Sequence, residues 1–221
     1  MKTLFKTLFC LGLLCIFTHA KALENQTQPD PELYNLLERL ENKISKVNSI
    51  QTDFVQEKKL AVFNDKLIIK GIIYLKKPNL LAWHVKEPLR YSIVLNSNTI
   101  QQWDEESNQV QKVSIANNPA FGSIFEQLKK WFSGNYTSML KEYHIKIIDQ
   151  SPIILQFVPY KTSVAHNLIE TVTVIFKKDE QYIYQINIEE KCGDSTLLTF
   201  VNTCLNCPFD SSVWKVKQDV R

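Results

Sequence analysis

Beyond the first 22 residues, three cysteines, three histidines and one acidic run are the side chains whose chemistry could go beyond packing, and their spacing decides what each can do. Cys204 and Cys207 form a C-x-x-C, the spacing of a redox pair or of half a metal site. A redox C-x-x-C normally opens a helix, which activates its first thiol. This one trails the strand-like run from Ser195 to Thr203 and meets Pro208. A disulfide between Cys204 and Cys207, across a turn containing Asn206, fits the spacing better. Cys192 stands in Cys-Gly-Asp-Ser, a hairpin signal. Cys204 then lies about nine residues down the returning strand, roughly 30 Å away and out of reach. His84, His144 and His166 sit in or beside strand-like runs, none in H-E-x-x-H or another ligand spacing, so no metal site is expected. Asp104, Glu105 and Glu106 are neighbours in a turn, whereas carboxylates that cleave glycosides must face each other across a cleft. Gly71, Gly122, Gly134 and Gly193 are isolated, leaving no phosphate cradle. No G-x-S-x-G elbow presents a serine. These residues describe a binding protein, not an enzyme, with no cofactor.

The elements that would build a binding site are legible from periodicity. MKTLFKTLFCLGLLCIFTHAKA has two lysines before an apolar core from Leu8 to Phe17, then an A-x-A pattern ending at Ala22. It reads as a signal peptide over 1–22, too short in its apolar run to span a membrane. Removing Lys2, Lys6 and Lys21 brings the basic residues, 26 in the whole chain, level with the 23 acidic ones. The charge therefore gives no support for nucleic-acid binding. Residues 23–31, rich in Asn, Gln and Pro, read as a flexible leader, and 32–221 as one domain. Leu33, Leu36, Leu37, Leu40, Ile44 and Val47 form one helical stripe, with Asp30 as N-cap and Pro31 at the first helical position.

From Gln51 the period becomes two. Strands are expected near 51–59, 65–75, 80–85, 91–95, 99–104, 109–115, 144–149, 153–159, 168–177, 181–191 and 195–203. Tyr182, Tyr184, Ile186 and Ile188 are expected to share a face, opposite Ile183, Gln185 and Asn187. Short connections make neighbouring strands antiparallel. The fold class is thus α+β, mainly β: an incomplete antiparallel barrel of about eleven strands. One helical segment interrupts the meander, residues 121–143, with Ile124, Phe125, Leu128, Trp131 and Phe132 at helical spacing. Ser123 is its candidate N-cap and Gly134 its stop. A strongly curved sheet has a concave side that its own strands do not fill. Two helices over it would form a lid on an apolar cavity.

GIIYLKKPNLLAWHVKEP, Gly71 to Pro88, resembles the periplasmic lipoprotein carrier family LolA. Phe54 and Gln56 fit that family's F-x-Q element, and YSIVLNSNTIQQWDEESNQV fits its strand, turn and aromatic-acidic step. The resemblance covers Leu33 to about Val113, and the remainder in layout only. It implies a periplasmic monomer whose interior shelters the acyl chains of lipoproteins. An inner-membrane ABC-type extractor would load it and an outer-membrane acceptor would unload it. By this resemblance Phe54, Leu81, Trp83, Ile93, Leu95 and Trp103 line the cavity, while Ile124, Phe125, Leu128, Trp131 and Phe132 belong to the lid. In the family an arginine before the proline bonds to the lid and holds the empty cavity closed. The matching position is Lys77, which lacks the planar fork, so a weaker latch or none is expected. Gln101 and Gln102 replace largely apolar family positions, and Asn98 stands where a turn glycine is usual. Two alternatives share the fold: a LolA-like carrier of another lipid or polyene product, and a lipoprotein-sensing regulatory domain.

Overall fold

The computed structural model describes residues 30–62, 65–97, 99–114 and 130–217. Residues 1–22, expected to be a signal peptide, and Ile124, Phe125 and Leu128, expected in the lid, lie outside the described residues. Helix α1 (Pro31–Ser45) begins as its sequence dictates: the Asp30 carboxylate accepts from the Glu32 N–H at 3.0 Å, and Pro31 opens the first turn. Pro31, assigned above to the leader, therefore belongs to the helix. Its stripe of Leu33, Leu36, Leu37, Leu40 and Ile44 is buried, as is Val47 just beyond. At about 1.5–3 kcal/mol per fully buried aliphatic side chain, that stripe holds the helix far more strongly than its polar ties can.

All eleven expected strands are present: β1 (Ser49–Lys59), β2 (Lys66–Lys76), β3 (Leu80–Glu87), β4 (Tyr91–Leu95), β5 (Thr99–Asp104), β6 (Val110–Ser114), β7 (Tyr143–Gln150), β8 (Ile153–Pro159), β9 (Ile169–Phe176), β10 (Ile183–Glu190) and β11 (Ser195–Leu205). They form one antiparallel sheet in the order β6-β5-β4-β3-β2-β1-β11-β10-β9-β8-β7. Two meanders are thus joined where the first strand pairs with the last. The sheet does not close, and β6 and β7 are its edges: an incomplete barrel with few helices.

Alternation sorts each strand onto two faces. On β1, Ile50, Thr52, Phe54, Gln56 and Lys58 are buried and their neighbours less so. Phe54 lies opposite Gly71 of β2, where an added Cβ would sit 2.0 Å from the His84 carbonyl oxygen and 2.7 Å from the Phe54 ring. Only glycine leaves room there for both the close strand and the ring. β10 departs from the expected pattern. A bulge between Ile183 and Gln185 inserts one residue and reverses the parity. Ile183, Ile186 and Ile188 therefore join the main core, while Tyr184 is exposed, with the Lys177 ammonium 5.4 Å from its ring centre.

Both faces of β3 are covered. Leu81 and Val85 are buried in the main core on the inner face, and Trp83 packs against it. On the outer face Ala82 joins Val94, Trp103 and Val216, flanked by Tyr74 and Trp214. That second cluster exists because the chain beyond β11, through the 3-10 turn Ser211–Trp214, folds back over the outer face.

Candidate functional site

The inner face is assembled by register. Leu81 pairs with Leu95 and Trp83 with Ile93, so four of the expected cavity residues stand side by side on β3 and β4. Phe54 reaches them from β1, its ring 4.8 Å from that of Trp83. Trp103 does not join them. Ile100 of β5 belongs to the inner core, so strand parity turns Gln102 the same way and sends Trp103 to the outer cluster. There its indole N–H donates to Asn108 at 3.2 Å. The family resemblance implies a cavity residue at position 103, and the parity of its strand turns it outward.

Helix α1 and the end of the inserted segment lie over this face. Residues 130–133 are helical, and the turn follows at Gly134, whose φ of +81° is the left-handed conformation expected of a helix stop. Trp131 is buried, with its ring 4.7 Å from that of Phe157. Phe132 meets Phe200 at 6.1 Å. Tyr136, fully buried, donates its hydroxyl to the Trp131 carbonyl at 3.1 Å, and desolvation holds its phenol far above the ordinary range. The Glu41 carboxylate of α1 accepts from both the N–H and the hydroxyl of Thr137, at 2.6 and 2.9 Å.

Lys77 does reach the helix. Its ammonium donates to the Ile44 carbonyl in the last turn of α1 at 2.8 Å, in a partly buried setting that lowers its pKa through desolvation. Ile44 is also where the inserted segment leans, since a Cβ on Gly134 would come within 2.8 Å of the Ile44 side chain. One residue thus touches the strand turn, the helix and the inserted segment.

A cavity of about 1030 Å³ runs between the first turn of α1, the 3-10 turn Thr137–Lys141 and the edge strand β7. Leu33, Leu140, Ile145 and Ile147 give it an apolar floor, while Asp30, Lys146 and Asp149 bring charge to its lining. Phe54, Leu81, Trp83, Ile93 and Leu95 stand on the other half of the sheet, apart from this cavity. Sequence reasoning missed Leu140, Ile145 and Ile147. The available signal was that β7 follows the inserted segment directly and, as an edge strand, has a neighbour on one side only.

The remaining candidates are structural. Cys204 and Cys207 are joined as a disulfide with Cα atoms 5.9 Å apart, and Cys192 is free and exposed. Cys192 gathers with Glu190 and Asp194, but Lys58 is ion-paired to both carboxylates, which makes the group a charge cluster already supplied with its cation. His84 is buried. Its Nε2 lies 2.7 Å from the Val213 carbonyl and its Nδ1 2.9 Å from the Ser92 hydroxyl. Facing a carbonyl, Nε2 carries the proton and donates it. Burial lowers the pKa of the ring, a direction the nearby Lys86 reinforces and the carbonyl bond opposes.

Comparison with known proteins places this open antiparallel sheet in a family. The outer membrane lipoprotein carrier protein LolA family matches residues 45–217. The chain belongs to the LolA family. An outer-membrane lipoprotein carrier protein of Helicobacter pylori is 25% identical over 124 residues, 55% of this chain and 65% of that protein, so the match spans under two thirds of the relative. Among solved structures, an uncharacterized conserved protein from Thermus thermophilus superposes with a TM-score of 0.54 at 9% identity, covering 85% of this chain and 96% of that one. MucB superposes with a TM-score of 0.51 at 10% identity, covering 85% and 63%. These structural likenesses show the fold. LolA-family carriers are periplasmic binding or chaperone proteins rather than enzymes. Among the described residues no helix is long and apolar enough to cross a membrane.

Proposed function

We propose that this protein is a periplasmic carrier that shelters the acyl chains of lipoproteins and ferries them from the inner to the outer membrane. The observation that carries this reading is the cavity beside β7, with its apolar floor and charged rim. A guest with apolar tails and a polar polypeptide head needs both surfaces. Each exposed methylene costs about 0.8 kcal/mol in water, so several acyl chains carry tens of kcal/mol and cannot travel unaided. Release requires a movable cover, and the inserted segment, including Trp131 and Phe132, together with α1 supplies the candidate lid. Lys77 would act as its latch. Loading then calls for an energy-coupled extractor in the inner membrane, and unloading for an outer-membrane acceptor of higher affinity.

The test is native mass spectrometry of the protein purified from the periplasm, paired with lipoprotein release from spheroplasts on adding the purified protein. Bound triacylated polypeptide and release into the medium are expected. Another lipid bound without release would favour the alternative cargo. An empty protein that releases nothing would refute the carrier reading.

A further inference from the structure

Helix α1 joins the sheet through Lys46, Val47 and Asn48, which lie between its end at Ser45 and the start of β1 at Ser49. Movement of α1 as a body turns about the φ and ψ angles of these linking residues. Whatever holds the link therefore governs the helix.

A residue far away in sequence is seated against it. β11 pairs with β1 so that Leu205 lies opposite Ile50, and the turn that follows stands beside the link. Asn206, in that turn, makes four hydrogen bonds to residues 46–49. Its side-chain oxygen accepts from the Asn48 N–H at 2.7 Å and from the Ser49 N–H at 3.2 Å, while its Nδ2 donates to the Lys46 carbonyl at 3.4 Å. Its backbone N–H donates to the Ser49 carbonyl at 2.8 Å. Lys77, at the end of the opposite neighbour of β1, adds an N–H to the Asn48 carbonyl at 2.8 Å.

The disulfide makes this seat. Cys204 and Cys207 flank Asn206, whose φ of +57° is a left-handed conformation that asparagine adopts more readily than most residues. The constraint a disulfide puts on the unfolded chain grows with the length of the loop it closes, and this loop is very short. Its main effect falls on the turn itself. Beyond the turn Phe209 packs with its ring 5.6 Å from that of Tyr74 and 5.6 Å from that of Trp214. The turn is pinned on both sides, whereas Asn206 is exposed and held by hydrogen bonds more than by burial.

We propose that Asn206, seated by the Cys204–Cys207 disulfide, is a positioning residue that clamps the link between α1 and β1 and sets how readily α1 lifts to admit or release a guest. The purpose of the clamp rests on the carrier reading, in which α1 is part of the moving cover.

Asn206→Gly removes the side-chain amide and keeps a residue suited to positive φ, so the turn and its disulfide survive. Two readouts on the periplasmically purified protein test the clamp: amide hydrogen exchange by NMR, and the rate at which a bound fluorescent acyl probe dissociates. In Asn206→Gly, exchange at Asn48 and Ser49 should speed about tenfold or more, and the probe should leave faster by up to the same factor. Asn206→Asp keeps both accepted bonds and should restore both rates. Cys204→Ser/Cys207→Ser should act in the same direction to a lesser degree, and should add nothing in an Asn206→Gly background, because both act through one contact. Gln185→Ala removes a comparable side-chain bond elsewhere on the sheet, to Thr199 at 3.0 Å, and should leave both readouts at wild-type values. The proposal is overturned if Asn48 and Ser49 exchange at the wild-type rate in Asn206→Gly, if the cysteine substitutions add their full effect to it, or if a bound probe leaves every variant at one rate. A wild type that binds no probe would refute the carrier reading separately, with the exchange rates still deciding the clamp.

Discussion

Ile147 is the position where the proposed shelter can be tested with least damage to the fold. It lies on the inner face of β7, half-buried, and lines the cavity with Leu33 and Leu140. In the empty protein a carboxylate introduced by Ile147→Glu can stay hydrated in the cavity, so the fold should lose no more than about 2 kcal/mol, the scale of an ordinary substitution. With a guest present the same carboxylate must either lose its water or push the tails aside. Displacing three or four methylenes at about 0.8 kcal/mol each weakens binding by roughly 3 kcal/mol, about a hundredfold. Ile147→Val removes one methylene and should cost about fourfold. The assay is displacement of a fluorescent sixteen-carbon acyl probe, with thermal unfolding as the control. Binding by Ile147→Glu should recover as the pH falls, because protonation abolishes the desolvation cost of the charge. Wild-type affinity in Ile147→Glu, at unchanged stability, would show that the guest does not occupy this cavity.

Lys77→Leu removes the ammonium from the Ile44 carbonyl, which still accepts from the Val47 N–H at 3.0 Å, so no orphaned acceptor results. A cost near 1–2 kcal/mol should speed amide exchange in the last turn of α1 about tenfold, and unchanged exchange would remove the latch. Gly71→Ala places a carbon 2.0 Å from a backbone oxygen that no rotamer can move. It should lower stability in urea by about 3 kcal/mol or more, and a wild-type midpoint would contradict the close approach of β2 and β3. His84→Gln tests a linkage. The folded pKa of His84 is depressed below its value in the unfolded chain, so the unfolded state binds more protons between the two values. Stability from the neutral ring is complete above about pH 6.5 and declines as the pH falls toward the depressed value. Urea unfolding across that range should show this decline in the wild type and a flatter profile in the variant. Equal slopes would exclude His84 as the titrating group.

Strand count, the α1 stripe and the glycine stop at 134 were legible because each depends on a local period or a local backbone conformation. Which face a strand presents is relative, and one inserted residue changes it. A clean alternation puts Tyr184 on one face with Ile186 and Ile188, and the bulge after Ile183 separates them. The family resemblance puts Trp103 in the cavity, whereas Ile100, three residues earlier, sets the parity of β5. The cavity was less legible still, because space is defined by residues far apart in sequence: Leu33 near the start of the described chain, Leu140 after the insertion, and Ile147 on the far edge.

The polar ties of α1 explain how such a cover could hold and still yield. Gln150 donates to Glu32 at one end, Arg39 near the middle and Lys43 in the last turn meet Glu180, and Lys77 donates to the Ile44 carbonyl at the other end. The exposed pairs are worth about 0.2–1 kcal/mol each. What fixes the helix is its apolar stripe, and acyl chains compete for that same surface at about 0.8 kcal/mol per methylene. A guest that offers a few more methylenes than the stripe surrenders can therefore take the place of the sheet beneath the helix. On the proposed carrier reading, the polar ties set the resting position of α1 and the guest decides between open and closed.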